Sequence, residues 1–363
     1  MDQSSDQRVK IGFRRACLIG ASCLAAAVVA GPGKTQEMAA HESKVTPLFA
    51  GDSVIDVTIA GPVKKIARGA ERSTEAYPAT LKAAGETHQI ELSARGLSRR
   101  KKENCRFPPL RIVFSGEKGE DSLFKKQGRI KLVTHCNDKD AAEQTVLREY
   151  AAYRLYNVVT PESHKVRLAR ITYLDGGKEV TTRLGFFIED TDDTARRVGK
   201  KEVDTGTVST RALVRGDLTR YFLFQYMIGN TDFAVYTGPN PDDCCHNSKL
   251  LGASKDAESE LTPVPYDFDN SGLVDAPYAV PNQILKIRSV TQRVYRGFCA
   301  LNPQMTEPAA AFRGLRPEFE AEIMAIPEMS DGTRSKLISY LGGFFDDIAS
   351  DEALQKNVLK NCR

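Results

Sequence analysis

At 363 residues, 41% hydrophobic and 27% charged, the chain has apolar material for one large or two medium domains, and disorder is excluded as its default state. A net charge of +4 is too slight to argue for nucleic acid as a partner. Hydrolase and zinc chemistry find little support. No Gly-x-Ser-x-Gly elbow and no Cys-x-x-Cys pair is present, and the five histidines form no metal-ligand pair on one helical face.

Residues 1–31 read as an export signal. Arg8, Lys10, Arg14 and Arg15 form a basic start, an apolar run from Ala16 to Ala30 follows, and Gly31-Pro32-Gly33 closes it. The expected location is therefore exported, periplasmic or extracellular, with membrane contact only through this leader if it stays uncleaved. Beyond it remain Cys105, Cys136, Cys244, Cys245, Cys299 and Cys362, an even set that predicts a disulfide framework. The adjacent Cys244 and Cys245 are expected to bridge to two different places. Residues 32–50, small and polar, read as a linker.

From residue 51 the pattern turns to β. Val54 to Ile59 begins one strand, Ile90, Leu92 and Ala94 alternate with polar residues in another, and Leu110–Phe114 makes a third. Arg95 to Lys102 between them is a charge run, read either as a solvated loop or as a phosphate-contacting hairpin. Residues 128–135 form the next strand, and Asp140 suits the cap of a helix over 141–157. On that helix Ala142, Val146, Glu149, Tyr153 and Tyr156 recur at intervals of four, three, four and three, so they share a face. A carboxylate in such a stripe needs a cation or it protonates. Lys131 on the preceding strand is the nearest candidate by topology, and a Glu satisfied by water or by a nearby Arg is the alternative.

A hairpin over 166–173 and 181–188 turns at Asp175-Gly176-Gly177. A helix over 217–227 leads into the stretch 226–272, and two more helices are expected at 317–324 and 332–348. Within 226–272 stand Asp232, Asn247, Asp267 and Asp269, hard oxygen donors of the kind that Mg²⁺ takes alongside substrate phosphates.

The order of strand Lys131, helix Glu149, connecting strand near Phe187, then Asp232, Asn247 and Asp267 resembles that of protein kinases. The text Ile228-Gly229-Asn230-Thr231-Asp232, followed by Asn247 and Pro265-Tyr266-Asp267, resembles the HipA-type kinases. His246-Asn247 with Tyr266-Asp267-Phe268-Asp269, and the earlier Arg95-Gly96-x-Ser98, resemble the CotH spore-coat kinases. Secretory-pathway kinases of the Golgi share the general fold, export and disulfides. The resemblance spans roughly residues 90–300.

It implies an α+β, two-lobed, disulfide-linked kinase-like fold. Residues 51–190 become a β-rich N-lobe with one helix, and 191–363 a mainly helical C-lobe. Carried over by position, Lys131 contacts phosphate, Glu149 holds it, and Phe187 and Glu189 line the adenine edge through backbone groups. Asp232 is the catalytic or orienting residue, and Asn247, Asp267 and Asp269 hold Mg²⁺ or Mn²⁺. The implied activity is phosphotransfer from ATP or another nucleotide to a hydroxyl on a protein or small molecule. The alternative is a non-catalytic, pseudokinase-like binding protein of the cell envelope. Two departures stand out: Asp232 and Asn247 are fifteen residues apart, against about five in the usual catalytic loop, and a Gly-x-Gly-x-x-Gly loop is missing.

Overall fold

The computed structural model describes residues 44–240 and 242–363; the export-signal reading of 1–31 lies outside the described residues. Seven strands close into a barrel in the order β1-β2-β3-β4-β5-β7-β6. They are β1 Ile55–Ala60, β2 Tyr77–Ala83, β3 Glu86–Ala94, β4 Leu110–Phe114, β5 Arg129–Val133, β6 Val166–Asp175 and β7 Lys178–Ile188. Every pairing is antiparallel except β1 with β6, which closes the barrel in parallel. The short helix α1, Val63–Gly69, follows β1. The β6–β7 turn uses Gly176 and Gly177 at φ 58° and 76°, the left-handed pair that a tight hairpin demands.

Period-two alternation sorts the side chains of each strand. On β5, Ile130 and Leu132 point into the barrel, while Arg129, Lys131 and Val133 point out. On β7, Phe187 points in and Phe186 and Ile188 point out. The outer face of β5 and β7 is covered by α2, Asp140–Val159, whose Tyr150 and Tyr153 pack edge-on against Phe186. The stripe expected on this helix is therefore its buried face.

After α3, Thr191–Arg197, the remainder is mostly helical. Helix α4, Arg215–Met227, is buried nearly all round, as a helix apolar on every side must be. Around it lie α5 Thr306–Gly314, α6 Arg316–Ala325 and α7 Asp331–Asp347. A small antiparallel sheet of β8 Lys201–Glu202, β9 Ser248–Gly252 and β10 Thr262–Pro265 completes this part. One apolar core fills the barrel and a second joins α2 to the helices. Among the described residues, no helix is long and apolar enough to cross a membrane.

Several expectations are corrected. Cys244 and Cys245 bond to each other; the other two disulfides are Cys105–Cys136 and Cys299–Cys362. The polar stretch read as a linker puts Leu48 and Phe49 inside the barrel, because a 3-10 turn at Pro47–Phe49 presents both to its interior. Strand β2 and helices α1 and α5 were not legible from periodicity.

If the turn at 47–49 is part of the core, Leu48→Ala costs about 2–5 kcal/mol of unfolding free energy, measured by urea denaturation. A linker position changes stability by less than about 0.5 kcal/mol.

Candidate functional site

The site is built where α4 ends. Gly229 turns the chain at φ 62°, and a Cβ there would sit 2.0 Å from the Tyr340 hydroxyl, so the turn requires glycine. The amides of Gly272 and Leu273 donate to the carbonyls of Gly229 and Ile228, tying the loop after α4 to the segment after β10. Arg296 clamps the same loop. Its guanidinium donates to the carbonyls on both sides of Asp232, those of Thr231 and Phe233, at 2.6 and 2.8 Å, and lies over the Phe233 ring.

The Asp232 carboxylate is held from three sides. His246 Nε2 donates to Oδ1 at 2.7 Å, and Asn247 and Asn270 amides donate to Oδ2 at 3.2 and 3.1 Å. Asn247 also donates to the Asp232 carbonyl at 2.7 Å. Burial raises the Asp232 pKa, but the His246 and Asn270 hydrogen bonds outweigh it and hold the carboxyl below its ordinary value. The same bond raises the His246 pKa. Asn247 and Asp267 both sit at positive φ, 52° and 62°. The Asp267 amide donates to the Tyr153 hydroxyl of α2 at 2.9 Å, and the Tyr266 amide to the Asn247 carbonyl, which brings the two strained residues side by side.

Glu149 and Lys131 are not partners. Glu149 takes the guanidinium of Arg99 instead, with Nη1 to Oε2 at 3.1 Å and Nη2 to Oε1 at 3.4 Å. The same guanidinium reaches Asp267 Oδ1 at 3.3 Å and Asp269 Oδ2 at 3.1 Å. One cation thus serves three carboxylates from two distant segments. Arg99 is 6% exposed, so the charge run at 95–102 is not a simply solvated loop. Burial pushes the Asp269 carboxyl up to about 7, Arg99 notwithstanding, with Asp267 and Glu149 adding to the rise. Burial likewise raises Glu149 against the pull of Arg99.

Lys131 faces the other side of the cleft, its ammonium 4.5 Å from the Tyr266 ring centroid. The β4–β5 register sets Arg111 directly opposite Lys131, and Arg129 follows two residues away on the same face. Burial, then Arg95 and Lys249, bring Lys131 down to about 7, against the opposing pull of Asp190 and Asp267. Arg111 is lowered by burial and by Arg129 and Arg95. Five cations therefore crowd one wall, and Asp267 stands within their field.

Phe187 and Glu189 do not line a cleft. Phe187 is buried in the barrel, its backbone paired with Leu132 of β5 and Arg167 of β6. Glu189 is 1% exposed and forms an ion pair with Arg197 at 2.9 Å; its amide donates to the Lys165 carbonyl. The Phe187 backbone is taken up by both neighbouring strands and the Glu189 amide by the Lys165 carbonyl.

The donor types suit Mg²⁺ or Mn²⁺: among the described residues, Asn247 Oδ1 and the second Asp267 oxygen carry no hydrogen bond. The carboxylates nevertheless do not close on one point. Among the described residues, three carboxylates with oxygens within 4.8 Å of one another occur at Asp190, Asp192 and Glu202, not at Asp232, Asp267 and Asp269. Arg99 stands between Asp267 and Asp269. Compared with protein-family models and with curated proteins, the chain matches none.

Asp232, Asn247, Asp267, Asp269 and Glu149 are thus brought into one hydrogen-bonded region. Sequence reasoning gave no site role to Arg99, His246 or Asn270, and for Arg296 it offered only a structural or substrate-binding part, of which the clamp is the structural one. Of these, His246 carried a signal in its adjacency to Asn247.

Removing the guanidinium strands three carboxylates. Arg99→Met is expected to cost about 3–5 kcal/mol, read from denaturant melts. The sign with pH follows from Asp269, whose folded value lies above an unfolded value of about 4. Its contribution is full below that pH and lost as pH rises through about 7. The variant therefore suffers more at about pH 8 than at about pH 5; an equal or smaller cost at the higher pH contradicts the shared-cation geometry.

Proposed function

We propose that the protein is an exported phosphotransferase of two-lobed, kinase-like build, moving phosphate from ATP or another nucleotide to a hydroxyl of a protein or small molecule. The barrel serves as its N-lobe and residues 191–363 as its C-lobe. The observation that carries this reading is the wall of Arg95, Arg111, Arg129, Lys131 and Lys249, crowded enough for burial and mutual repulsion to lower Lys131 and Arg111, facing Asp267. Arg129 and Lys249 are ion-paired with Asp190 and Glu202, which leaves Arg95, Arg111 and Lys131 as like charges that favour a polyanion, and a nucleotide's phosphates are the simplest one. The disulfides among the described residues are compatible with export.

In such a transfer the bond from phosphorus to the nucleotide oxygen breaks as a bond to the acceptor oxygen forms. A divalent ion, when bound, neutralises charge on the transferring group. Lys131 and its neighbours fix the phosphates. Asp232, pinned by His246, Asn247 and Asn270, accepts the hydrogen bond of the acceptor hydroxyl and aims its oxygen. A carboxylate held below its ordinary pKa orients a hydroxyl well but stores its proton poorly. Asn247 and Asp267 are the residues that would hold the ion.

Arg99 favours a second reading. Its guanidinium already supplies positive charge to Asp267 and Asp269, which makes a pseudokinase-like module that binds without turnover the competing account.

Thermal melting with Mg-ATP and Mn-ATP, paired with intact-mass spectrometry, separates them. Phosphotransfer predicts stabilisation of up to about 2.7 kcal/mol at a hundredfold excess over Kd, lost in Lys131→Met and Asp267→Asn, together with added phosphate on the protein or an acceptor. Stabilisation without any mass change selects the binding module. No stabilisation by any nucleotide with either metal contradicts both.

A further inference from the structure

A cavity of about 620 Å³ opens on the far side of the Arg99–Glu149 ion pair, between the start of α2, the strand end after β5 and the loop at 106–107. Lys131, Asp232, Asn247, Asp267 and Asp269 do not line it, so it borders the site above only through Arg99 and Glu149. Its size falls within the range of small-molecule pockets.

His135 lines the cavity and is 1% exposed. Its ring stacks on Phe107, with centroids 4.7 Å apart, and burial lowers its pKa to about 4, so the imidazole is neutral. Its Nδ1 is closed to solvent with no hydrogen-bond partner among the described residues, so Nε2, which makes no hydrogen bond among them either, is the nitrogen left to meet an occupant. A neutral imidazole carries one donor and one acceptor, and leaving such groups unmade in a buried place is costly. The other polar side chains of the strand end are satisfied: Thr134 donates to the Phe107 carbonyl, and Asn137 receives the Arg106 amide. His135 therefore stands out as a buried polar group with nothing to bond.

The charges select the occupant's sign. Asp138 at the rim is engaged by Arg183, which also holds Asp140 and Glu143 at the start of α2, and Glu149 by Arg99. Arg106 and Lys139 line the same opening, and among the described residues neither forms an ion pair. The walls between are apolar, with Phe107, Ala142, Val146 and Val180.

We propose that this cavity is a binding site for a small monoanion with a flat apolar body, an aromatic carboxylate in chemical class. Its body lies along Phe107 and Ala142, its polar edge meets His135, and its carboxylate faces Arg106 and Lys139. The site shares the Arg99–Glu149 pair with the carboxylate cluster but does not depend on phosphotransfer.

The test uses the full chain labelled at histidine, following the His135 ring by heteronuclear correlation, with the peak assigned by its loss in His135→Phe. Phenylacetate, benzoate and indole-3-acetate are titrated, and phenylacetamide serves as the uncharged match to the first. At least one acid is expected to shift His135 saturably below about 10 mM. The amide is expected to bind at least about tenfold more weakly. Ala142→Phe, which fills the cavity, should abolish the shift while keeping the wild-type melting temperature. The proposal is overturned if none of the acids gives a saturable shift, if amide and acid bind equally, or if a folded Ala142→Phe protein responds as wild type does. None of these readouts involves nucleotide, so failure here leaves the phosphotransfer reading standing, and the reverse holds too.

Discussion

One guanidinium shared by three carboxylates governs this molecule. Arg99 comes from the loop that follows β3, Glu149 from the middle of α2, and Asp267 and Asp269 from the segment after β10. Burying four charged groups together is expensive, and a single cation cannot neutralise three anions. Part of the negative charge must be quenched by a proton, which is why burial leaves the Asp269 carboxyl near 7. Such an arrangement gives modest net stability but strict geometry, since every alternative placement of these segments strands a buried charge. The barrel, the long helix and the acidic segment meet where Arg99 allows them to meet. Cys105–Cys136 fastens the same loop beyond Arg99, joining it to the chain just after β5.

On the other wall the constraint is the strand's two-residue period. A closed barrel must fill its interior with Ile130, Leu132, Ile112 and Phe187, and that obliges Arg129, Lys131 and Arg111 to stand outside on one face. Their crowding is thus a by-product of barrel packing, turned toward the region where Asp232 and Asp267 lie. Lys131 comes within electrostatic reach of Asp267. Asp232 is fixed by backbone clamps from Arg296 and by three side-chain donors, a rigidity suited to orienting a bound group.

The strands at 110–114 and 166–188 and helices α4, α6 and α7 were legible because each has an unbroken period and a clear stop. Helix α2 was readable to within two residues at its C-terminal end, and its buried stripe named Glu149 as a residue in need of a cation. What pattern alone does not supply is the identity of that cation. Lys131 is nearer by topology, yet outward alternation sends it to Tyr266, while Arg99, from a loop resembling a solvated charge run, turns inward. The same limit explains Cys244–Cys245: spacing argued for two distant bridges, but Cys105 pairs with Cys136 and Cys299 with Cys362, which leaves the neighbours each other. Phe187 and Glu189 were assigned by chain order, which is silent about whether a side chain lies inside or outside a barrel.

The most direct test of the shared-cation account is a carbon-detected NMR titration of the side-chain carboxyl groups. The account predicts one aspartate signal titrating near 7, absent from Asp269→Asn. It is contradicted if every aspartate and glutamate carboxyl titrates at its ordinary value of about 4.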